Sequence, residues 1–391
     1  LDVLPTMDYS EYFDLATKMG YPKSKIVLPV EASRGCAWEH RCKNEELNGC
    51  TFCGLYRNSP NYREKTINRI KKEIESLILT YKNLKLSFVD AYLPDSYKNE
   101  LLEHLAELDF DVDIFCELRC DLDDKFGHLL ATVPARKIQL GVESFQEDIL
   151  KVMEKGRRLV DNVNSIKICQ EYNLPFQYNL MLDYPGVKVE SVIEMEKRLP
   201  LLFGLYPPTV SSFYLDRGSR MYMHPEEFGI DANSFDRIGY FFLPESFSGK
   251  ALTQIVSYKE IKENLALKIA WKKVRMIAEN WQKVHEKALF HGMNSALSYR
   301  NGRNFLLIDD YRDEGVKHYK IEGILKDVLL ASQRKITKTQ LLNCVNLNSM
   351  LDLEEVLSVL DHHKLILRDN RFIISLPIAF KHRHKMLCND T

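Results

Sequence analysis

At 391 residues the chain is too long for one ordinary small domain and long enough for a large barrel plus a smaller module. Its 54 basic and 55 acidic residues leave a formal charge of -1, so the molecule as a whole exerts no electrostatic pull on nucleic acid. Nine cysteines without an apolar leader argue against a secreted disulfide framework. The most apolar stretch, Leu199 to Phe203, is broken by Gly204 and Pro207, far short of the roughly 20 apolar residues a membrane helix needs; a cytoplasmic protein with no membrane partner is expected.

From about Lys25 to Arg220 short β-rich runs alternate with amphipathic helical patterns. Candidate strands cover 26–31, 84–89, 112–116, 137–142, 176–181 and 210–215, and apolar residues at Ile67, Ile70, Ile74, Leu77 and Ile78 predict a helix over 67–81. Such alternation predicts an α/β fold of parallel strands joined by right-handed crossovers, without deciding between an open sheet and a barrel. Beyond Pro244 the pattern changes. A helical run from Glu260 to Phe290 carries Leu265, Ile269, Trp271, Ile277, Trp281 and Val284, and a hairpin over 298–308 turns at Asn301-Gly302. Short helices from Ile321 onward, followed by a second hairpin over 365–375, predict a winged-helix module. The helix from Asp352 to His363 bears Asp352, Glu354, Glu355 and Asp361, which would repel phosphate, so plain packing or peptide capture is expected before DNA binding. One route to peptide capture adds a leader-peptide strand to the wing.

The densest chemistry lies after the first strand. Ser33-Arg34-Gly35-Cys36 and Cys50-Thr51-Phe52-Cys53-Gly54-Leu55 place a close Cys-x-x-Cys pair a loop away from a third cysteine. Three thiolates can hold one metal centre, and their softness selects iron-sulfur or zinc. A structural zinc site, with Cys42 as fourth thiolate, is the alternative; structural zinc usually pairs two short knuckles, and one is present. Cys116, Cys120, Cys169, Cys344 and Cys388 are scattered and read as small hydrophobes.

Ser-Arg-Gly-Cys, the nearby Trp38 and Cys-Thr-Phe-Cys-Gly-Leu resemble the radical S-adenosylmethionine superfamily, and within it the enzymes that mature ribosomally made peptides, many of them cobalamin-dependent C-methyltransferases. The gap from Cys36 to Cys50 exceeds the three residues most common in the superfamily, as it does in that group. The resemblance implies a partial six-stranded (β/α) barrel, a 4Fe-4S cluster on Cys36, Cys50 and Cys53 with one iron open, S-adenosyl-L-methionine as its ligand, and a flavodoxin or ferredoxin as electron donor. In such barrels chemistry sits at the carboxyl ends of the strands. There Glu117-Leu118-Arg119 resembles the phrase that brings an arginine to the methionine carboxylate, which a guanidinium fork suits. Gly141-Val142-Glu143-Ser144 resembles the phrase serving the cofactor's polar edge, and Val152-Met153-Glu154-Lys155-Gly156 the helix and turn that follow it. Pro185 stands where relatives line the adenine, although Asp183 departs from the small residue found there; Asp90 is the candidate for the methionine amine. Arg217 faces substrate or solvent.

The opening Leu1-Asp2-Val3-Leu4-Pro5 resembles the connector after a Rossmann-like cobalamin domain, and no Asp-x-His-x-x-Gly phrase occurs. Either the natural chain begins further upstream or the chemistry proceeds without cobalamin. The expected organisation is a connector over 1–23, the partial barrel over 24–243, a helical extension with a hairpin over 244–318 and a winged-helix-like module over 319–391. The expected activity is radical modification of an unactivated carbon in the core of a precursor peptide: C-methylation with cobalamin, or epimerisation or cross-linking without it, with Cys42 then a candidate hydrogen donor. Modification of tRNA or a small molecule, and a zinc-stapled binding protein, are the other readings; a nucleic-acid partner is not expected.

Overall fold

The computed structural model describes residues 1–38, 49–55, 62–108, 110–133, 135–232, 255–256 and 258–380. Six parallel strands form one sheet in sequential order: β1 (Leu28–Val30), β2 (Lys85–Phe88), β3 (Asp113–Arg119), β4 (Ala135–Glu143), β5 (Phe176–Leu182) and β6 (Thr209–Ser212). Strand-by-strand order with a helical crossover at every step is the topology of a partial (β/α) barrel. The crossovers include α2 (Ile67–Tyr81), α3 (Glu100–Glu107), α4 (Asp124–Thr132), α5 (Glu147–Val152), α6 (Leu159–Glu171) and α7 (Val189–Arg198); α1 (Ser10–Lys18) precedes the sheet.

The period-two alternation sorts each strand into two faces. On β3, Ile114, Cys116 and Leu118 are buried, while Phe115 and Glu117 between them are only partly covered or exposed. The first set packs under the helices and the second faces the hollow of the sheet. Burial pushes the thiols of Cys116 and Cys120 up to about 12, the signature of inert packing cysteines. The floor of the hollow is a cavity of about 410 Å³ lined by Val27, Pro29, Ser87, Phe115 and Lys137.

The expected sixth strand, 210–215, is divided: β6 ends at Ser212, and Leu215–Asp216 pairs antiparallel with Ile255–Val256. The long helix α8 (Leu265–Phe290) starts later than expected because the Asn264 side chain caps it, accepting from Leu267 N at 3.1 Å. Its Trp281 is fully buried, donates to Leu205 O at 2.9 Å and packs on Phe145 and Phe203.

The first hairpin forms as β7 (Leu297–Asn301) and β8 (Phe305–Asp310), extended by β9 (Lys317–Glu322). The final strand β13 (Ile378–Ala379) returns to pair with β7, so this sheet joins both ends of the carboxy-terminal half, and a division at 318/319 passes through β9. The order α9 (Gly323–Ala331), β10 (Ile336–Thr337), α10 (Lys338–Cys344), α11 (Met350–His362), β11 (Ile366–Arg368), β12 (Phe372–Ser375) is a winged helix, with β12 between β10 and β11. One apolar core runs from Phe13 through the sheet to Ile378. No described helix is long and apolar enough to cross a membrane.

Candidate active site

The cysteine loop is pinned at its base. Ser33–Arg34 pairs antiparallel with Arg63–Glu64, closing the loop that begins after β1. Asp90, just past β2, accepts from Ala32 N at 3.1 Å, from Ser33 Oγ at 2.6 Å and from Ser33 N. It is 4% exposed, and burial pushes its carboxyl up to about 6 against those donors. Asp90 therefore fixes the approach to Cys36; a carboxylate has further lone pairs for another donor.

The distal part of the loop is held by a single turn. After α5, residues 152–155 present successive carbonyls: Val152 O accepts from Thr51 Oγ1 at 2.9 Å, Met153 O from Thr51 N at 3.0 Å, Glu154 O from Trp38 Nε1 at 2.9 Å, and Lys155 O from Arg119 Nη2 at 2.6 Å. Positive φ angles at Glu154 (49°) and Gly156 (64°) make this possible, and Gly156 is required twice over. A Cβ there would lie 2.0 Å from the Trp38 ring. Thr51 Oγ1 also meets the buried Tyr184 hydroxyl at 2.6 Å, and Gly54 N donates to Asp216 Oδ2 at 2.8 Å.

Arg119, 8% exposed at the end of β3, stacks 4.4 Å from the Trp38 ring and lies 5.8 Å from that of Tyr92. A guanidinium has five N–H donors, and among the described residues its bond to Lys155 O uses one. Across the β3–β4 register Arg119 stands beside Gly141, whose missing side chain makes room for Lys155: a Cβ would sit 3.0 Å from its Nζ. The register then slips between Leu140 and Glu143, and Glu143 takes a positive φ of 64°. This irregularity turns its carboxylate to Lys155, Oε1 to Nζ 3.1 Å. Burial opposes the Lys155 ammonium, but Glu143 and the adjacent Cys50 sulfur outweigh it, so the lysine holds its proton more firmly than usual. Glu117, lower in the hollow, is pushed up by burial and by Glu143, with Lys155 pulling the other way.

The structure therefore brings Arg119, Gly141 and Glu143 together beside the cysteine loop, with Glu117 on the same face of β3. It does not bring Ser144 with them. That residue is wholly buried, its hydroxyl 3.6 Å from Met195 Sδ and accepting from Gln146 N at 3.2 Å, a packing position behind the strand. Pro185 lines a separate cleft of about 340 Å³ with Gly186, Phe228, Glu260 and Leu267. Asp183 accepts from Ser212 Oγ at 2.8 Å and pairs with Arg275 at 2.9 Å, fastening β5 to α8. Arg217 stacks on and bonds Tyr222. Lys155 and Thr51 are functional candidates that the sequence reading misses: Lys155 sits among Lys151, Glu154, Arg157 and Arg158, so nothing in the sequence marks it as the buried one.

The donor set fits an iron-sulfur cluster. Burial raises the Cys50 thiol, and burial of the sulfur pushes the Cys53 thiol up to about 12 although that residue keeps a solvent-facing edge; each also feels the other or Cys36, so the three sulfurs share one neighbourhood. In a four-iron cube each thiolate takes its own iron, so three thiolates in one neighbourhood can hold three of the four and leave one open. Cys42 lies outside the described residues.

A parallel six-stranded sheet carries the thiol loop beyond its first strand, and residues 41–199 match the Radical SAM superfamily model. The matched residues correspond to a radical S-adenosylmethionine domain, for which a 4Fe-4S cluster and S-adenosylmethionine are the cofactors. The match begins beyond Cys36, so that residue's place rests on the geometry above. Among curated proteins the chain is similar to bacteriochlorophyllide d C-12(1)-methyltransferase of Chlorobaculum tepidum, 22% identical over 245 residues, which cover 59% of this chain and 50% of that protein. The chain thus spans about half the length of the curated relative it matches. Solved structures with a similar fold include the radical S-adenosylmethionine methyltransferase TsrM of Kitasatospora setae (18% identity, TM-score 0.45, 56% of this chain and 43% of that one). Another is the cobalamin-dependent S-adenosylmethionine radical enzyme OxsB (12% identity, TM-score 0.47, 86% and 45%).

Proposed function

We propose that the protein is a radical S-adenosylmethionine methyltransferase that uses cobalamin to place a methyl group on an unactivated carbon of a ribosomally made precursor peptide. The observation that carries the radical chemistry is the joining of Cys36, Cys50 and Cys53 to Arg119 and Glu143 through one turn. In this reading the three thiolates hold the cluster, Arg119 takes the methionine carboxylate, Asp90 and Glu117 offer acceptors for the amine, and Glu143 and Gly141 border the polar edge of the cofactor. When bound, the cluster and S-adenosylmethionine supply a 5'-deoxyadenosyl radical once an electron donor such as flavodoxin or ferredoxin delivers one electron. The chain's own residues hold that cofactor at the mouth of the strand hollow, where the partly covered side chains of β3 face a substrate.

Methylation is supported by the methyltransferase relative, and a peptide substrate by the Ser-Arg-Gly-Cys and Cys-Thr-Phe-Cys-Gly-Leu phrases and by the winged helix as a leader-binding platform. Wing capture would use an outer edge, because β12 is already paired on both sides. A small-molecule substrate is the second reading, favoured by the tetrapyrrole named for the curated relative. Epimerisation or cross-linking is the outcome without cobalamin. Anaerobic incubation of the full natural protein with its neighbouring precursor peptide, reductant and S-adenosylmethionine separates these: a product heavier by one methylene supports methylation, and an unchanged mass or a loss of two hydrogens opposes it.

A further inference from the structure

Beyond ligating and cofactor-binding residues, the site contains a buried ammonium that the proposed reaction does not consume. Lys155 is 8% exposed, pairs with Glu143 at 3.1 Å, and has its Nζ 5.6 Å from the Phe52 ring between Cys50 and Cys53. The backbone carbonyl of the same residue holds Arg119, and the carbonyls before it hold Thr51 and Trp38. Gly141 leaves the volume the ammonium occupies. A lysine held so rigidly cannot snorkel to solvent, and its burial needs compensating anions. One carboxylate offsets part of that; three thiolates are the anions still to come.

We propose that Lys155 is a positioning residue whose fixed positive charge offsets the anionic cysteine ligands and makes the cluster easier to reduce. The inference rests on the reading that Cys36, Cys50 and Cys53 hold a 4Fe-4S cluster. Reduction adds one electron, delivered by an external low-potential donor, to a centre whose ligands are already negative. In a water-poor site a cation at fixed distance stabilises the reduced form more than the oxidised one. Glu143 sets the size of the effect, since its carboxylate cancels part of the field.

The test is the midpoint potential of the cluster, followed by electron paramagnetic resonance without S-adenosylmethionine, in wild type, Lys155→Met, Lys155→Arg and Glu143→Gln. The expected result is a more negative potential in Lys155→Met at wild-type iron and sulfide content, a potential near wild type in Lys155→Arg, and a more positive one in Glu143→Gln. If Lys155→Met does not load iron, Glu143→Gln decides, because removing the carboxylate must move the potential in the opposite direction. Equal potentials in wild type and Glu143→Gln, or an equal shift in Lys155→Arg and Lys155→Met, would overturn the inference and leave Lys155 a packing residue. Wild-type protein without iron or sulfide would instead overturn the cluster reading itself.

Discussion

The thiols of the loop are held from two parts of the fold, and that division decides what single substitutions do. Cys36 follows the strand fixed by Asp90, while Cys50 and Cys53 flank Thr51, which the turn at 152–153 clamps. Replacing Cys36, Cys50 or Cys53 with Ala is expected to abolish iron and sulfide incorporation, and Cys42→Ala to retain it; elemental analysis of anaerobically reconstituted protein checks this. Arg119→Ala and Glu143→Ala should keep the cluster and weaken S-adenosylmethionine binding. Loss of a charged hydrogen-bond partner costs roughly 1.5 to 3 kcal/mol, or about one to two decades in Kd by titration. Gly156→Ala attacks the scaffold instead. Its φ of 64° costs a Cβ-bearing residue roughly 1 to 2 kcal/mol, and the 2.0 Å approach to Trp38 adds to that. The variant should lose thermal stability and load iron slowly, whereas wild-type loading in Gly156→Ala would show that the Trp38 anchor is dispensable.

At the scale of elements, alternation and helix periodicity carried the sheet: all six expected strands lie in it and in sequence order, and the helix over 67–81 has the expected limits. Both hairpins were legible from their apolar runs. The division of the last barrel strand was not, because Leu215 and Asp216 continue the β pattern while pairing elsewhere, a matter of tertiary partners. The acids of α11 were legible as charges but not as pairs: Glu354 binds Lys338 and Arg368, and Asp361 binds Arg368, so repulsion of phosphate rests on Asp352 and Glu355. Equally hidden was Lys167 on α6, fully buried, with its Nζ on Ser375 O, Gln333 Oε1 at 3.2 Å and Pro377 O at 3.4 Å. Burial lowers it from 10.5 to about 8. Below pH 8 the ammonium is charged in both folded and unfolded chains and its burial penalty is fully present; as pH rises to 10.5 the unfolded chain binds more protons, so stability increases. Over that window wild type should gain up to about 3 kcal/mol relative to Lys167→Met, read as a narrowing or reversal of the difference between their urea midpoints. A pH-independent difference would mean that Lys167 titrates alike in both states.

Across the whole molecule the winged helix is joined to the barrel by a common core and by a rim of ion pairs: Arg334 with Asp124 and Glu171, Lys335 with Asp161, and Arg158 with Asp369. Such docking holds the module in a fixed position on the barrel. The phrases around Arg119 and Glu143 were legible as strand ends, and the structure sets both residues at the carboxyl ends of β3 and β4. The turn at 152–156 was readable as a phrase but not as the piece that joins them, because carbonyl contacts leave no trace in side-chain identity. Everything argued for the site depends on what the three thiolates hold. Anaerobic reconstitution, followed by iron, sulfide and zinc determination and by reductant-driven cleavage of S-adenosylmethionine, measures it directly. The account predicts about four irons and as many sulfides per chain, with 5'-deoxyadenosine formed by wild type and not by Cys50→Ala; stoichiometric zinc without sulfide, in a protein that leaves S-adenosylmethionine intact, would contradict it.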